Sequence, residues 1–582
     1  MQTRRTFLQT APGLSVAAAL LPKRMRAAGS APREQLREFG YGAVRLTGGP
    51  LQRQYDHLHQ HYLGLDNDRI LKVYRQRAGL PAPGDDMGGW YDADGFVPGH
   101  TIGQYISGLA RFHKGTGDPA AAAKARALVE GYIATLGPNG YPYASEKGAT
   151  TWPCYILDKY EIGLIDAYRL AGVQAAKDAL PRVIRGAIGH IPDHTYDRTP
   201  DSPKQAPYDE PYILSENLFQ SWEVTGEQQF FDMAKMYLLN AEYFEPLARG
   251  ENILPGKHAY SHMIALSSAA KAYLVLGDEK YLAAIRNAWD MVEQTQQFAS
   301  GGSGPKEAFV TPHEGKLGDA ITSTHDHFET PCGCYAQVKL ARYLLRITGE
   351  GRYGDGLERV LYNTVLGARD PDNDGNYFYY SNYQPGAKKG YYHRKWSCCS
   401  GTLAQGVADY PVNIYFQSAS ALYVNLFTPS EVQWQTGNVP VKLSQTGEGE
   451  TQFFRVETAA PVTFELHVRV PGWVEAPPRV RVNGKAFDAD AVKGFLVVRR
   501  HWKSGDHVEV TFPRKWRLQA VDDKHTDVVA IMRGPLMYVE TGQPVVSDKV
   551  LPALPADLDK ASLTPFHAVR EQSYTTYFRK PA

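Results

Sequence analysis

The chain has 582 residues, with 63 basic against 62 acidic side chains and a formal charge of +1. That length exceeds one ordinary core, so two or three domains are expected. Balanced charge, with no basic stretch interleaved with aromatics beyond the N-terminus, argues against nucleic acid as a partner. Aromatics make up 12% of the chain, with 36 Tyr and 9 Trp. Flat, half-polar rings suit the stacking of sugar faces, although large cores use them too.

The chain starts with Thr3-Arg4-Arg5-Thr6-Phe7-Leu8, a weakly apolar run from Ala11 to Leu21, then Lys23, Arg24, Arg26 and the small residues Ala27, Ala28 and Gly29. This layout predicts a twin-arginine signal over 1–28 and a periplasmic or secreted protein exported already folded. The alternative is a frayed basic arm. No later segment approaches 18 uninterrupted apolar residues, so no membrane span is expected.

A helix-and-turn phrase then recurs: Thr116-Gly117-Asp118, Ala171-Gly172-Val173, Thr225-Gly226-Glu227, Leu276-Gly277-Asp278 and Thr348-Gly349-Glu350. Each glycine follows an apolar helical pattern such as Ile106–Phe112 or Ala269–Leu276. Glycine fits the left-handed residue that ends a helix, and an acidic neighbour suits the next N-terminus. The first four are about 50 to 55 residues apart, room for a helical hairpin and its connection. The reading is an (α/α)6 toroid over 29–414, a barrel with a cleft at one end, against an open helical array.

From about Tyr415 the period becomes two. Ala421–Phe427, Val462–Val470 and His507–Phe512 read as strands, punctuated by Pro471-Gly472, Asn483-Gly484 and Gly505-Asp506. A β-sandwich over 415–545 is expected, followed by a C-terminal extension, 546–582, of unassigned structure.

The five cysteines are the sharpest chemical signal: Cys154, then Cys332 and Cys334 in HFETPCGC, then Cys398 and Cys399 in WSCCSGT. In an exported protein they could form disulfides, though an adjacent pair does not easily close on itself. The alternative is a soft metal site in which thiolates and one carboxylate hold zinc and one sulfur stays nucleophilic at neutral pH. Glu307 lies in the glycine-rich loop GGSGPKEAFVTP. In a closed cleft it suits the general acid and base of glycosidic cleavage; taken alone, a glutamate in such a loop is usually just a solvated carboxylate.

Several ordered motifs carry a resemblance: LDNDRILKVYRQRAGL, GGWYDADGFVPGHTIGQYISGLARFHKGTGD, HAYSHMIALSSAAKAYLVLGD, ARYLLRITGEGRYGDGLERVLYNTVL, WSCCSGT, LYVNLFTPS, FELHVRVPGW and RGPLMYV. From about Leu65 to Tyr538 the chain resembles the β-L-arabinofuranosidases of glycoside hydrolase families 127 and 146. The resemblance implies an exo-acting retaining enzyme that releases β-L-arabinofuranose from a carbohydrate substrate, an arabinofuranoside-containing glycan. It places the nucleophile at Cys398, zinc-ligand cysteines at Cys399 and Cys332, the acid/base at Glu307 and a substrate-contacting histidine at His258.

The chain also departs from the family. The family's zinc carboxylate precedes its cysteine as Glu-x-Cys, whereas here the text is Glu329-Thr330-Pro331-Cys332, so either Glu329 or Cys334 completes the zinc set. Asp158 in Tyr155-Ile156-Leu157-Asp158-Lys159, and Pro211 in Glu210-Pro211-Tyr212, stand where cleft histidines are expected. A carboxylate for an imidazole changes which hydroxyl is read. The candidate substrate-binding set is therefore His258, Asp158, His100 and Glu210, and the candidate metal set is Glu329, Cys332, Cys398 and Cys399. Cys154, Trp90 and Tyr105 read as core, and His325-Asp326-His327 as a polar cleft wall. The lost histidines motivate a second reading, the same chemistry on another sugar. A third is a non-catalytic glycan-binding protein with a structural zinc site, and a fourth an inverting enzyme pairing Asp158 with Glu307. The sequence does not address oligomeric state.

Overall fold

The computed structural model describes residues 33–198, 209–324, 328, 330–368, 377–378, 382–392, 396–447, 449–542 and 547–581. The signal segment expected over 1–28, and His325, Asp326, His327 and Glu329, lie outside the described residues. The helices are, in chain order, α1 (Gly49–Gly64), α2 (Asn67–Arg77), α3 (Ile102–Thr116), α4 (Pro119–Thr135), α5 (Glu146–Thr151), α6 (Pro153–Ala171), α7 (Gln174–Ala187), α8 (Ser215–Thr225), α9 (Gln228–Met236), α10 (Glu245–Ala248), α11 (Ala259–Leu276), α12 (Glu279–Thr295), α13 (Lys316–Ser323), α14 (Pro331–Thr348), α15 (Arg352–Val360) and α16 (Cys398–Ala408). No helix among the described residues is long and apolar enough to cross a membrane.

The five recurrent glycines end α3, α6, α8, α11 and α14, each with φ between 66° and 78°. At this φ a side chain would be strained, so glycine stops the helix and turns the chain into the next one. Asp118 and Asp278 then accept backbone N–H bonds from Ala120 and Lys280 at the starts of α4 and α12. The result is a ring. α3 packs on α6, α6 on α8, α8 on α11, α11 on α14 and α14 on α16, and α16 returns to α3. Outside them lie α4, α7, α9, α12 and α15, with α1 behind α16. This is the (α/α)6 toroid.

α3 and α6 approach most closely at two glycines. A Cβ on Gly103 would sit 1.8 Å from the Lys159 carbonyl oxygen, and one on Gly163 would sit 2.5 Å from the Gly103 carbonyl oxygen. No other residue fits that crossing. Toward the C-terminal ends of the inner helices, a buried collar of ions joins four of them. Arg111 of α3 reaches Asp166 of α6 at 2.9 Å and Asp409, at the end of α16, at 3.1 Å. Arg342 of α14 reaches the other Asp409 oxygen at 2.9 Å, and the Tyr41 hydroxyl donates to Asp409 at 2.7 Å. Burial would raise the Asp409 carboxyl, but Arg111 and Arg342 outweigh it and hold its pKa below the usual range.

Two sheets form the sandwich. One runs in the order 37–38, 415–417, 421–424, 462–469, 495–502, 490–492; the other runs 485–487, 479–482, 507–511, 451–458, 439–446, 430–436, 44–46. Val462–Arg469 pairs antiparallel with Phe495–Trp502, Val462 opposite Trp502 and Arg469 opposite Phe495. The sandwich therefore reaches back into the segment 29–414, taking Arg37–Glu38 and Val44–Leu46 as strands. A third sheet follows, built from Trp516–Ala520, Val528–Arg533, Leu536–Thr541, Leu563–Pro565, Tyr574–Thr575 and Tyr577–Arg579. The division expected at residue 545 falls inside it, because Leu536–Thr541 pairs with strands from beyond that point. Strands of two or three residues have no readable period, which hides them in the sequence. This sheet shares a core with Phe298, Leu317, Ile321, Phe328 and Tyr383.

Replacing Asp409 by Ala removes the shared partner of two buried guanidinium groups, leaving Arg111 with Asp166 and Arg342 with Glu38. The expected cost is about 3–5 kcal/mol, read as a fall in the thermal unfolding midpoint. Glu34→Ala, which removes a part-exposed partner of Arg346, should change that midpoint little, by about 1 kcal/mol or less. Equal effects from the two changes would show that the collar carries no special weight.

Candidate active site

The N-terminal turns of the inner helices gather the chemically active side chains. Cys398 and Cys399 are the first two residues of α16, and Cys332 is the second of α14. The Cys332 sulfur lies 3.2 Å from that of Cys398, 3.4 Å from that of Cys399 and 3.1 Å from the Thr402 hydroxyl. All three sulfurs fall within 4.8 Å of one another, and none of the five cysteines forms a disulfide. Cys332 and Cys399 are about 1% exposed, whereas Cys398 is only half-buried.

These thiols differ electrically. Hydrogen bonds to sulfur from Cys332 and Cys399 outweigh burial at Cys398 and hold its thiol well below the usual range, while burial pushes Cys332 and Cys399 up. The cluster thus places its first negative charge on Cys398, at a helix N-terminus where backbone N–H groups favour an anion. Three soft sulfur donors in contact can hold a metal ion. Tetrahedral bonds of about 2.3 Å imply sulfurs about 3.8 Å apart, close to the spacing found here.

Cys334 does not join this group. It lines a cavity with Tyr260, Ser303, Glu307, Thr330 and Gln337, and among the described residues the group able to hold a metal is Cys332, Cys398 and Cys399 without it. Glu307 ends a short turn, Pro305–Glu307, in which Lys306 and Glu307 both have left-handed backbones, with φ of 56° and 57°. Two consecutive non-glycine residues in that region are uncommon. The neighbouring Ala308 forms a β-bridge with His258, which brings the acidic loop beside the start of α11.

The remaining candidates form two ion-paired groups. His258 Nδ1 lies 3.4 Å from Glu210 Oε1 and 3.1 Å from the Ser261 hydroxyl, and Arg198 bonds the same Glu210 oxygen. Burial would raise Glu210, but Arg198 and His258 hold its carboxyl at about 2. Asp158 accepts from Lys159 and from Asn217, each at 2.7 Å. Lys159 also donates to the Tyr260 hydroxyl at 3.1 Å and sits 4.4 Å over the Tyr155 ring. Pro211, at the expected histidine, opens a buried turn before α8. His100 is buried; its Nδ1 faces the Val97 carbonyl at 2.6 Å, its Nε2 has no hydrogen-bond partner among the described residues, and burial pushes its pKa down to about 4. Cys154 and Tyr105 are core, and Trp90 packs on Phe96 at its margin.

Sequence reasoning missed Lys159, Tyr155, Tyr260 and Arg198. Lys159 was visible as a lone cation inside the apolar run PCYILDKYEIGLIDAY; Arg198, in a loop, carried no signal.

Comparison with known proteins gives a consistent picture. The profile described as "Beta-L-arabinofuranosidase, GH127 catalytic domain" matches residues 43–412, and that of the GH127 middle domain matches 421–514. A non-reducing end β-L-arabinofuranosidase of Bifidobacterium longum subsp. longum is 22% identical over 345 residues, covering 54% of this chain and 50% of its own length. The chain thus spans about half of that relative. A GH127 β-arabinofuranosidase structure superposes with a TM-score of 0.72 at 16% identity, covering 95% of this chain and 99% of its own. A GH127 β-L-arabinofuranosidase from Geobacillus stearothermophilus T6 does so with a TM-score of 0.69 at 19% identity, covering 92% of this chain and 100% of its own. At these identities the superpositions establish the fold.

The exposure of the three sulfurs sets an order of reaction. In the chelator-treated chain, iodoacetamide should modify Cys398 at least about tenfold faster than Cys332 or Cys399. One equivalent of zinc should suppress that labelling, as peptide mass mapping would show. Equal labelling of all three, or labelling indifferent to metal, contradicts the arrangement.

Proposed function

The chain belongs to the GH127 β-L-arabinofuranosidase family, and we propose that it is an exo-acting retaining glycosidase releasing a furanose, β-L-arabinofuranose first. The observation that carries this reading is the convergence of three thiols at two helix N-termini, with only Cys398 partly exposed. A binding protein needs no such partly exposed, acidified sulfur.

In the proposed reaction Glu307 gives its proton to the departing glycosidic oxygen as the Cys398 sulfur bonds the anomeric carbon. A water molecule, deprotonated by Glu307, then attacks that carbon and the carbon–sulfur bond breaks, returning the electron pair to sulfur. A zinc ion held by Cys332, Cys398 and Cys399 would keep the thiols ionised and share their charge. Because Cys334 lies outside the three-sulfur group, Glu329 is our candidate for the remaining ligand.

Asp158 and Glu210 suit the recognition of sugar hydroxyls, but each is already engaged by a cation, Lys159 or Arg198. A carboxylate so engaged has fewer acceptor sites left for a hydroxyl than a free one. That supports the second reading, in which the same chemistry serves a different furanose or an acidic branched sugar. We place the substrate outside the cytoplasm, in plant cell-wall or glycoprotein glycans.

Cys398→Ser should lower kcat by roughly three orders of magnitude or more, and Glu307→Gln by about 10²–10⁴. Hydrolysis of a panel of nitrophenyl furanosides, with product configuration followed by NMR, checks both sugar and stereochemistry. Turnover intact in Cys398→Ser, or an inverted product, eliminates the sulfur route. Failure on β-L-arabinofuranosides alone moves the assignment to another sugar.

A further inference from the structure

We infer that Gln337 is a positioning residue for the acid/base; this rests on the reaction proposed above. Its side-chain amide braces the loop carrying Glu307 against the helix carrying Cys332.

The acidic loop leaves α12 and returns on itself. Gln297 and Ser303 face each other as a β-bridge across its two legs. The Gln337 amide spans both: its Nε2 donates to the Ser303 hydroxyl at 2.8 Å, and its Oε1 accepts from the Gln297 amide at 2.9 Å. All three residues are buried, Gln337 to 2% exposure. A buried amide with both ends engaged fixes distance and direction, because breaking either bond leaves a polar atom unpaired away from water. Other clasps reach elsewhere. The Gln296 side chain exchanges two bonds with the Val310 backbone at 2.9 and 2.8 Å. Tyr577 of the third sheet accepts the Ala299 N–H at 3.0 Å, and the Ser300 hydroxyl pairs with that of Tyr383 at 2.6 Å.

Gln337 instead reaches α14, five residues beyond Cys332, about 7.5 Å along a rigid helix. The loop then runs from Ser303 through Gly304 and the turn Pro305–Glu307 to the carboxyl group. One helix therefore sets the position of a nucleophile-cluster sulfur and of the loop that presents the acid. Gln337 and Glu307 line the same cavity. Loss of the brace lets the carboxyl wander while the sulfurs stay in place. Displacement of about 1 Å costs on the order of 100-fold in a positioned reaction.

The test separates proton donation from everything else. Two substrates share the β-L-arabinofuranosyl group: the 4-nitrophenyl glycoside, whose leaving group departs as a stable anion, and the methyl glycoside, whose leaving group requires a proton. The measured quantity is kcat/KM, which stops at departure of the aglycone and so excludes the later action of Glu307 as a base. Gln337→Met should lose about 30-fold or more on the methyl glycoside and less than about threefold on the nitrophenyl glycoside. Zinc content should be unchanged. Gln337→Glu keeps oxygen acceptors for Gln297 and for a reoriented Ser303 hydroxyl, and should recover most of the loss. If Gln337→Met does not fold, Ser303→Ala removes only the accepting hydroxyl and should show the same bias. An equal loss on both substrates, or no loss, overturns the inference. Glu307→Gln on the same pair is the control. Absence of bias there overturns the acid assignment itself, and the brace with it; bias there with none in the Gln337 and Ser303 variants overturns the brace alone.

Discussion

Three sulfur atoms in contact depend on the register of two helices, and that register is fixed far from the sulfurs. α14 carries Cys332 near one end and Arg342 ten residues on; α16 carries Cys398 at one end and is closed by Asp409 eleven residues on. At the rise of an α-helix the two spans are about 15 and 16 Å. The Arg342–Asp409 pair therefore locks the helices at one level, and the matched spans bring the thiols together at the other. Arg111 extends the lock to α3 and, through Asp166, to α6. A buried ion pair is a weak source of net stability but a strong penalty on any arrangement that separates it. Here that penalty falls on helix sliding.

The same logic shapes the cleft's charge. Asp158 has Lys159, and Glu210 has Arg198 and His258. These two carboxylates are matched by cations, the Tyr155 hydroxyl bonds the Cys398 sulfur, and burial keeps His100 neutral. Its Nδ1 hydrogen is committed to the Val97 carbonyl, which leaves Nε2 as a bare acceptor. The sulfur cluster is then stabilised chiefly by its own hydrogen bonds, by helix N-termini and by whatever cation it holds.

Much of this was legible in the sequence where a single residue type does one physical job. Glycine at a left-handed helix end is such a case, and five of them spelled out the hairpins. Adjacent cysteines that resist pairing with each other are another. The roles of Cys398 and Glu307 came from resemblance to a family, since a glutamate in a glycine-rich loop has no distinctive pattern. What stayed hidden depends on partners distant in the chain. Gln337 is an ordinary polar residue in a helix until Gln297 and Ser303 arrive, and Lys159 becomes a cleft cation only after Tyr260 folds over it. The third sheet's last strands, Leu563–Pro565, Tyr574–Thr575 and Tyr577–Arg579, were hidden because they are only two or three residues long, and its core is borrowed from Phe298, Phe328 and Tyr383.

The proposed division of labour among the helices separates the chemistry from sugar recognition. The sulfurs belong to α14 and α16, and the proposed acid to a loop that Gln337 of α14 hydrogen-bonds. The candidate sugar-reading residues stand on α6, on the turn before α8 and at the start of α11. Asp158 and Pro211 stand on elements that carry none of the three clustered thiols, although Tyr155 of α6 hydrogen-bonds Cys398 and Asp166 of α6 belongs to the ion collar. In the proposed reading, a change at Asp158 or Pro211 alters hydrogen bonding to hydroxyls while the sulfur–sulfur contacts stay in place. The tight Gly103–Gly163 crossing limits how far α6 can move in response, so such a change is absorbed by side-chain pairing. The Asp158–Lys159–Tyr260 and Glu210–Arg198–His258 groups are that pairing.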